Sequence, residues 1–385
     1  MQCVTPLVRI YNQLSFDEKQ AIANAGEKQF NRILPREKVN EMLEANENYF
    51  TMIQRKNKNF EKEGSRIRYG LIPCKKCYAC RLNYSAEWAV RIMHEVKQHK
   101  ENYFVTLTYD HEHVPTLDYV EYKDKEGNIQ RKFNNGCFHY SLNPKDLDTF
   151  IDSLRKNQKR HHEKKDFKYY LAAEYGGEGA RPHYHIIFMG LELDGTKFYS
   201  YVKDENGKDH WKSKELERIW KKGIIDVAKV EFADAAYVAR YGTKLFINRG
   251  SEEDYAEQGM VREFTRCSTR PAIGSDYIKS NEYDMLISDG VLVKNSKGNV
   301  FHVKLPAYYQ KRLEQSYPEY MDEQKNKRQS IAINSLEKKR EQTNISDKER
   351  LKRDTMELAR RGALLKRENI DKKWDERQFI PKQKL

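Results

Sequence analysis

The stretch "FKYYLAAEYGGEGARPHYHIIFMG", residues 167–190, constrains the fold more than any other part of the chain. Two runs rich in aromatic and aliphatic residues, 167–176 and 182–190, flank "GGEGAR", whose glycines supply the backbone freedom a reversal needs. An antiparallel β-hairpin is the expected result. Strand-like and helix-like segments alternate around it. "YFVTLTY" (103–109) and "IIDVAKVEF" (224–232) read as strands, and "CFHYSL" (137–142) as a further strand candidate. "NPKDLDTFIDSLRKNQKR" opens on an N-cap residue, Asn143, and a proline; Leu147, Phe150, Ile151 and Leu154 then repeat as the buried face of an amphipathic helix. "KSKELERIWKKG" and "ADAAYVARYGTKL" read as two more helices. This alternation predicts an α+β fold, a central antiparallel sheet flanked by helices.

Residues 1–70 are polar with patchy helical periodicity and are expected to be a helical or partly mobile extension. Residues 71–320 form the expected principal domain, and 321–385, dominated by charges of both signs, a helical or disordered tail.

Charge narrows the function. Among 385 residues the formal net charge is +13, which favours a polyanionic partner, and the 25 tyrosines offer faces on which single-stranded nucleic acid stacks. The first residues, "MQCVTPLVRIYNQL", lack a secretory pattern and no later window is apolar enough to span a bilayer, so a soluble intracellular protein without a membrane partner is expected. Six cysteines do not suggest a disulfide scaffold in a chain of this length.

Three groups of residues carry candidate chemistry. His183 and His185 are two apart in a strand, so both imidazoles project from one sheet face and can share an ion. Glu174, across the glycine turn, is the candidate third ligand; an oxygen donor beside two imidazoles favours Mn²⁺ or Mg²⁺. The alternative is two polar positions on a solvent-facing strand. Tyr237 and Tyr241, four apart in a helix, bring both hydroxyls to one site, with Lys244 three residues further on. Core packing is the alternative there. Cys74, Cys77 and Cys80 in "PCKKCYACR" give three thiols, short of a tetrahedral zinc site unless His94 or Cys137 completes it; three reduced thiols are the equal alternative. "GLELDGTK" (190–197) fails the nucleoside-triphosphate pattern because Thr196 precedes Lys197, so strand unwinding would fall to a partner.

The motifs "PCKKCYACRLNYSAEWAVRIMHE", "YFVTLTYD", "EYGGEGARPHYHIIF", "AAYVARYGTK", "CSTRPAIG" and "VKLPAYY", in that order over residues 71–310, resemble the replication initiators of small single-stranded DNA phages. These are the gokushovirus group of the Microviridae, within the HUH endonuclease superfamily. The resemblance implies an HUH (RRM-like) sheet and a nicking-and-joining enzyme of rolling-circle replication. It implies that His183, His185 and, by position, Glu174 bind Mg²⁺ or Mn²⁺, that Tyr237 and Tyr241 are nucleophiles, and that Lys244 steadies phosphate charge. The implied partners are single-stranded and origin DNA and a host helicase and DNA polymerase, in the host cytoplasm. Two departures stand out: Gly242 follows the second tyrosine where an apolar or β-branched residue is expected, and Ala272 stands where a glycine is common. The rival readings are another HUH enzyme, such as a plasmid initiator, relaxase or transposase, and a basic DNA-binding protein without catalysis.

Overall fold

Period-two alternation overrides the patchy helical signal near the N-terminus. In "RIRYGLI", Ile67, Tyr69 and Leu71 sit two apart between Arg66, Arg68 and Gly70, a strand pattern. In the computed structural model β1 (Leu7–Gln13), β2 (Asn31–Leu34) and β3 (Arg66–Ile72) form an antiparallel sheet in the order β2-β1-β3. The expectation of helix is therefore wrong for these residues. The structure describes residues 7–13, 31–34, 66–72, 74–75, 78–124, 126–134, 136, 139–162, 166–176, 180–205, 207–244, 252–294, 299–328 and 331. They fall into two compact units, one of residues up to Arg81 with those from Arg312 onward, the other of Leu82–Lys311.

The second unit is built on a seven-stranded antiparallel sheet. Its elements are α1 (Tyr78–Val96, entering from the first unit), β4 (Asn102–Tyr109), the hairpin β5 (Tyr119–Lys123) and β6 (Ile129–Phe133), α2 (Pro144–His161), β7 (Lys168–Tyr175) and β8 (Pro182–Met189). There follow β9 (Phe198–Lys203), β10 (Asp209–Ser213), α3 (Lys214–Trp220), β11 (Gly223–Lys229), α4 (Phe232–Lys244), α5 (Glu252–Ala256) and β12 (Phe264–Cys267). The chain continues through α6 (Ser275–Ser288), the hairpin β13 (Gly290–Lys294) and β14 (Val300–Lys304), and α7 (Ala307–Ser316); residues 318–328 are helical as well. The large sheet runs β12-β7-β8-β4-β11-β10-β9. No described helix is long and apolar enough to cross a membrane.

The expected hairpin is β7–β8, with Glu174 opposite His183 and Ala172 opposite His185. The predicted helix is α2, and Asn143 caps it as its side chain accepts from the Lys145 N–H. The strand candidate at 137–142 is not one where it is described: the Leu142 N–H donates to the Tyr175 hydroxyl and the Ser141 N–H to the Pro115 carbonyl, so neither is left for a ladder. Strands β9 and β10, read from sequence as part of a charged loop, form the exposed edge, where little apolar patterning is required.

Helices cover both sheet faces. On one, Leu147, Phe150, Ile151 and Leu154 of α2 and Leu216 and Trp220 of α3 meet Val105, Leu107, Tyr184, Ile186 and Phe188. On the other, Ala89 and Ile92 of α1 and Ala235 and Val238 of α4 meet Phe104, Ala172, Ile187 and Met189. This parity decides where the histidines point. Tyr184 and Ile186 belong to the α2 face, so His183 and His185 face α4.

Gly274, the end of "PAIG", occupies a left-handed conformation (φ 83°), and its N–H donates to Glu95 at 2.7 Å. A Cβ there would collide with the Tyr309 ring, so only glycine fits. Beside it His94, 1% exposed, stacks on Tyr277 at 3.8 Å and places Nδ1 3.2 Å from the Tyr309 hydroxyl. Burial, helped by the charge of Lys97, pushes the His94 pKa from 6.5 down to about 4. Below pH 6.5 the unfolded chain binds a proton that the folded chain refuses until about pH 4. Stability from this group is therefore complete above that window and is lost as pH falls through it, by up to ~3 kcal/mol. The urea midpoint should drop between about pH 7 and pH 5, and drop less in His94→Gln; equal pH dependence would contradict this origin.

Candidate metal and tyrosine site

Three strands and one helix converge on a single carboxylate oxygen. Glu174 Oε1 lies 2.9 Å from His183 Nε2 and 3.0 Å from His185 Nε2. Glu174 is 4% and His185 8% exposed, while His183 is half-buried, so the cluster opens on the His183 side. Among the described residues this is the group of three or more histidine, cysteine or carboxylate side chains whose ligand atoms all lie within 4.8 Å of one another.

The chemistry of the donors fits a cation. His183 Nδ1 lies 3.1 Å from the Arg181 carbonyl, which can only accept, so Nδ1 carries the proton and the neutral ring turns its Nε2 lone pair toward a carboxylate oxygen. Two lone pairs at that distance repel, and a cation between them removes the conflict. Around an octahedral cation with bonds of ~2.1 Å, adjacent ligand atoms sit ~3.0 Å apart, the spacing found for both pairs. His185 Nδ1 is held 3.0 Å from Thr106 Oγ1 on β4. Each imidazole thus has one nitrogen anchored by the sheet and the other aimed at the same point, the usual second-shell arrangement of metal-binding histidines.

Helix α4 brings the tyrosines over this cluster. Its position is set by Ala235 and Val238, which enter the core, and by Ser85 of α1, whose hydroxyl donates to the Ala236 carbonyl at 3.0 Å. Tyr237 meets the His185 ring edge-on at 5.3 Å and Tyr241 stacks on it at 6.0 Å. The Tyr241 hydroxyl donates to that of Tyr237 at 2.6 Å and is also hydrogen-bonded to Glu174. Burial, and after it the negative charge of Glu174, hold the Tyr241 hydroxyl far above its ordinary pKa. In this arrangement the phenol stays protonated, and a nearby cation works against that effect.

Of the residues singled out from sequence, Glu174, His183, His185, Tyr237 and Tyr241 are brought together. Lys244 ends α4, which continues through Gly242 despite the weak helix propensity of glycine; its side chain lies outside the described residues. Cys77 and Cys137 also lie outside them. Cys74 and Cys80 have sulfurs 3.9 Å apart, and the His94 Nδ1 is taken up by Tyr309.

Thr106 and Arg181 escape a reading by motif. A trace of Thr106 exists in "YFVTLTY", where Thr106 and Thr108 are alternate polar positions in an otherwise apolar strand. Thr106→Val keeps the shape and strand preference but removes the anchor of His185. Mn²⁺ affinity should fall by ~10–100-fold with little change in stability, as a Mn²⁺ titration would show. Unchanged affinity would mean that His185 is oriented by its ring contacts alone.

Comparison with known proteins agrees with this arrangement. The replication-associated protein ORF2 family matches residues 102–246, which include all five clustered residues. The chain is 34% identical over 269 residues to the replication-associated protein ORF2 of Spiroplasma virus 4, covering 69% of this chain and 75% of that protein. It is 30% identical over 251 residues to the replication-associated protein VP4 of Bdellovibrio phage phiMH2K, covering 64% and 69%. It is 27% identical over 242 residues to the replication-associated protein ORF4 of Chlamydia phage 1, covering 62% and 52%. No solved structure matches the chain.

Proposed function

Because the chain belongs to the replication-associated protein ORF2 family, we propose that it initiates rolling-circle replication of a single-stranded DNA phage by nicking and rejoining one strand at the origin. The observation that carries this reading is the stacking of two phenols on the same imidazole, His185, whose Nε2 meets Glu174 beside that of His183.

In this reading Glu174, His183 and His185 hold Mg²⁺ or Mn²⁺. Once bound, the cation polarises a non-bridging phosphate oxygen and offsets charge in the transition state. One tyrosine oxygen forms a bond to phosphorus while the bond from phosphorus to the 3′ oxygen breaks. The phenolic proton ends on that oxygen, giving a 5′-phosphotyrosine and a 3′-hydroxyl for a polymerase to extend. Because the phosphodiester is exchanged for another ester, rejoining is the same step reversed and needs no nucleotide cofactor. With Tyr237 and Tyr241 oxygens only 2.6 Å apart, either can take the strand while the other is occupied. Lys244, at the end of the same helix, steadies phosphate charge. Residues 71–320 make up the proposed nicking domain, acting on single-stranded and origin DNA in the host cytoplasm with a host helicase and DNA polymerase.

The test is incubation with Mn²⁺ and labelled single-stranded fragments tiling the phage genome, followed by a denaturing gel. A covalent adduct confined to one fragment is expected. A protein that only binds DNA, through its charge and aromatic faces, yields none.

A further inference from the structure

Arg181 bridges the hairpin turn and the neighbouring strand. Its carbonyl closes the turn by accepting the Gly176 N–H at 3.0 Å, and the same oxygen lies 3.1 Å from His183 Nδ1. Its guanidinium leaves β8 for the end of β4, where Nη1 donates to the Tyr109 carbonyl at 2.9 Å and Nη2 lies 3.3 Å from both ring nitrogens of His111. One residue thus joins three parts: the turn, β4 and a cluster histidine. The residue before it, Ala180, has φ 46°, a backbone region that a residue with a Cβ adopts only when held.

The geometry points to Arg181 as a positioning residue for the metal cluster, its side chain pinning to β4 the carbonyl that sets the tautomer and direction of His183. The inference rests on the reading that Glu174, His183 and His185 bind a cation. A carbonyl that can only accept obliges Nδ1 to carry the proton, which leaves the Nε2 lone pair for the ion. The rim on the His183 side is the half-exposed one, so its order depends on such a tie rather than on burial. The Gly176 side of the ring adds contact but no anchor: a Cβ built on Gly176 would come only within 3.5 Å of His183 Cε1. A planar guanidinium can hold the Tyr109 carbonyl and the His111 ring together, whereas an ammonium on a flexible stem holds one at a time.

The test is a double-mutant cycle read as Mn²⁺ affinity of the full chain without DNA, which separates positioning from general stability. Arg181→Ala should weaken Mn²⁺ binding by ~10–100-fold, as loss of an outer-shell partner does, and Arg181→Lys by an intermediate factor. In a His183→Ala background the Arg181 substitutions should have no further effect, because the ring they orient is gone. An unchanged affinity in Arg181→Ala, or the same fold-loss in both backgrounds, overturns the assignment. Should Arg181→Ala not fold, the Arg181→Lys cycle decides by the same criterion. Wild-type protein that binds no Mn²⁺, or His183→Ala that binds it as wild type does, overturns the cation reading itself; normal behaviour of both with an unaffected Arg181→Ala refutes only the role of Arg181.

Discussion

Replacing Tyr237 and Tyr241 together by phenylalanine should abolish the covalent DNA adduct while leaving salt-sensitive DNA binding in place. Phenylalanine retains the rings that pack against His185, so the helix keeps its seat on the sheet. What is lost is the pair of oxygens and the hydrogen bonds they make with each other and with Glu174, costing on the order of 1–3 kcal/mol of stability. No other described hydroxyl is shown stacked over the cluster, so loss of the nucleophiles removes the covalent route rather than slowing it. Either single variant should retain some adduct, since the two oxygens occupy one place. Binding follows net charge, +13 over the chain, which this substitution leaves untouched. An adduct that survives in the double variant, with its label mapped to another residue, would remove these tyrosines from the chemistry.

Glu174→Gln is the second decisive substitution. The amide keeps the size and one oxygen of the carboxylate but not its charge, which is the strongest attraction the site offers a dication. Mn²⁺ affinity should fall by more than the ~10–100-fold typical of outer-shell losses, and adduct formation should fall with it. A chelator should silence the wild type in the same way. The change also removes a negative charge from beside the Tyr241 phenol, so its hydroxyl should titrate at lower pH in the variant than in the metal-free wild type. Metal affinity equal to wild type would mean that another side chain supplies the oxygen ligand.

Much of this site is legible in short stretches of chain. In "PHYHIIFM" the period of two is enough to place His183 and His185 together and Tyr184 on the opposite face, and "AAYVARY" places its two tyrosines on one helix face by spacing alone. The glycine turn accounts for Glu174 opposite His183. The same reasoning fails at residues 1–70, where strands occur in place of the expected helix, because patchy periodicity in a polar segment discriminates poorly between the two. It fails again at β9 and β10, whose exposed edge position demands no apolar alternation.

By itself the sequence determined the antiparallel hairpin, the pairing of the histidines on one face, the spacing of the tyrosines and the capped helix α2, since each depends on backbone geometry over a few residues. Only the tertiary structure decided that β4 lies beside β8, so that Thr106 meets His185 and Tyr109 meets Arg181, and that α4 docks on the histidine face rather than the other. Those outcomes come from burying Ala235 and Val238 against Ala172 and Ile187, contacts between residues distant in the chain. No local period encodes them, because the free energy that selects them belongs to the packed core as a whole.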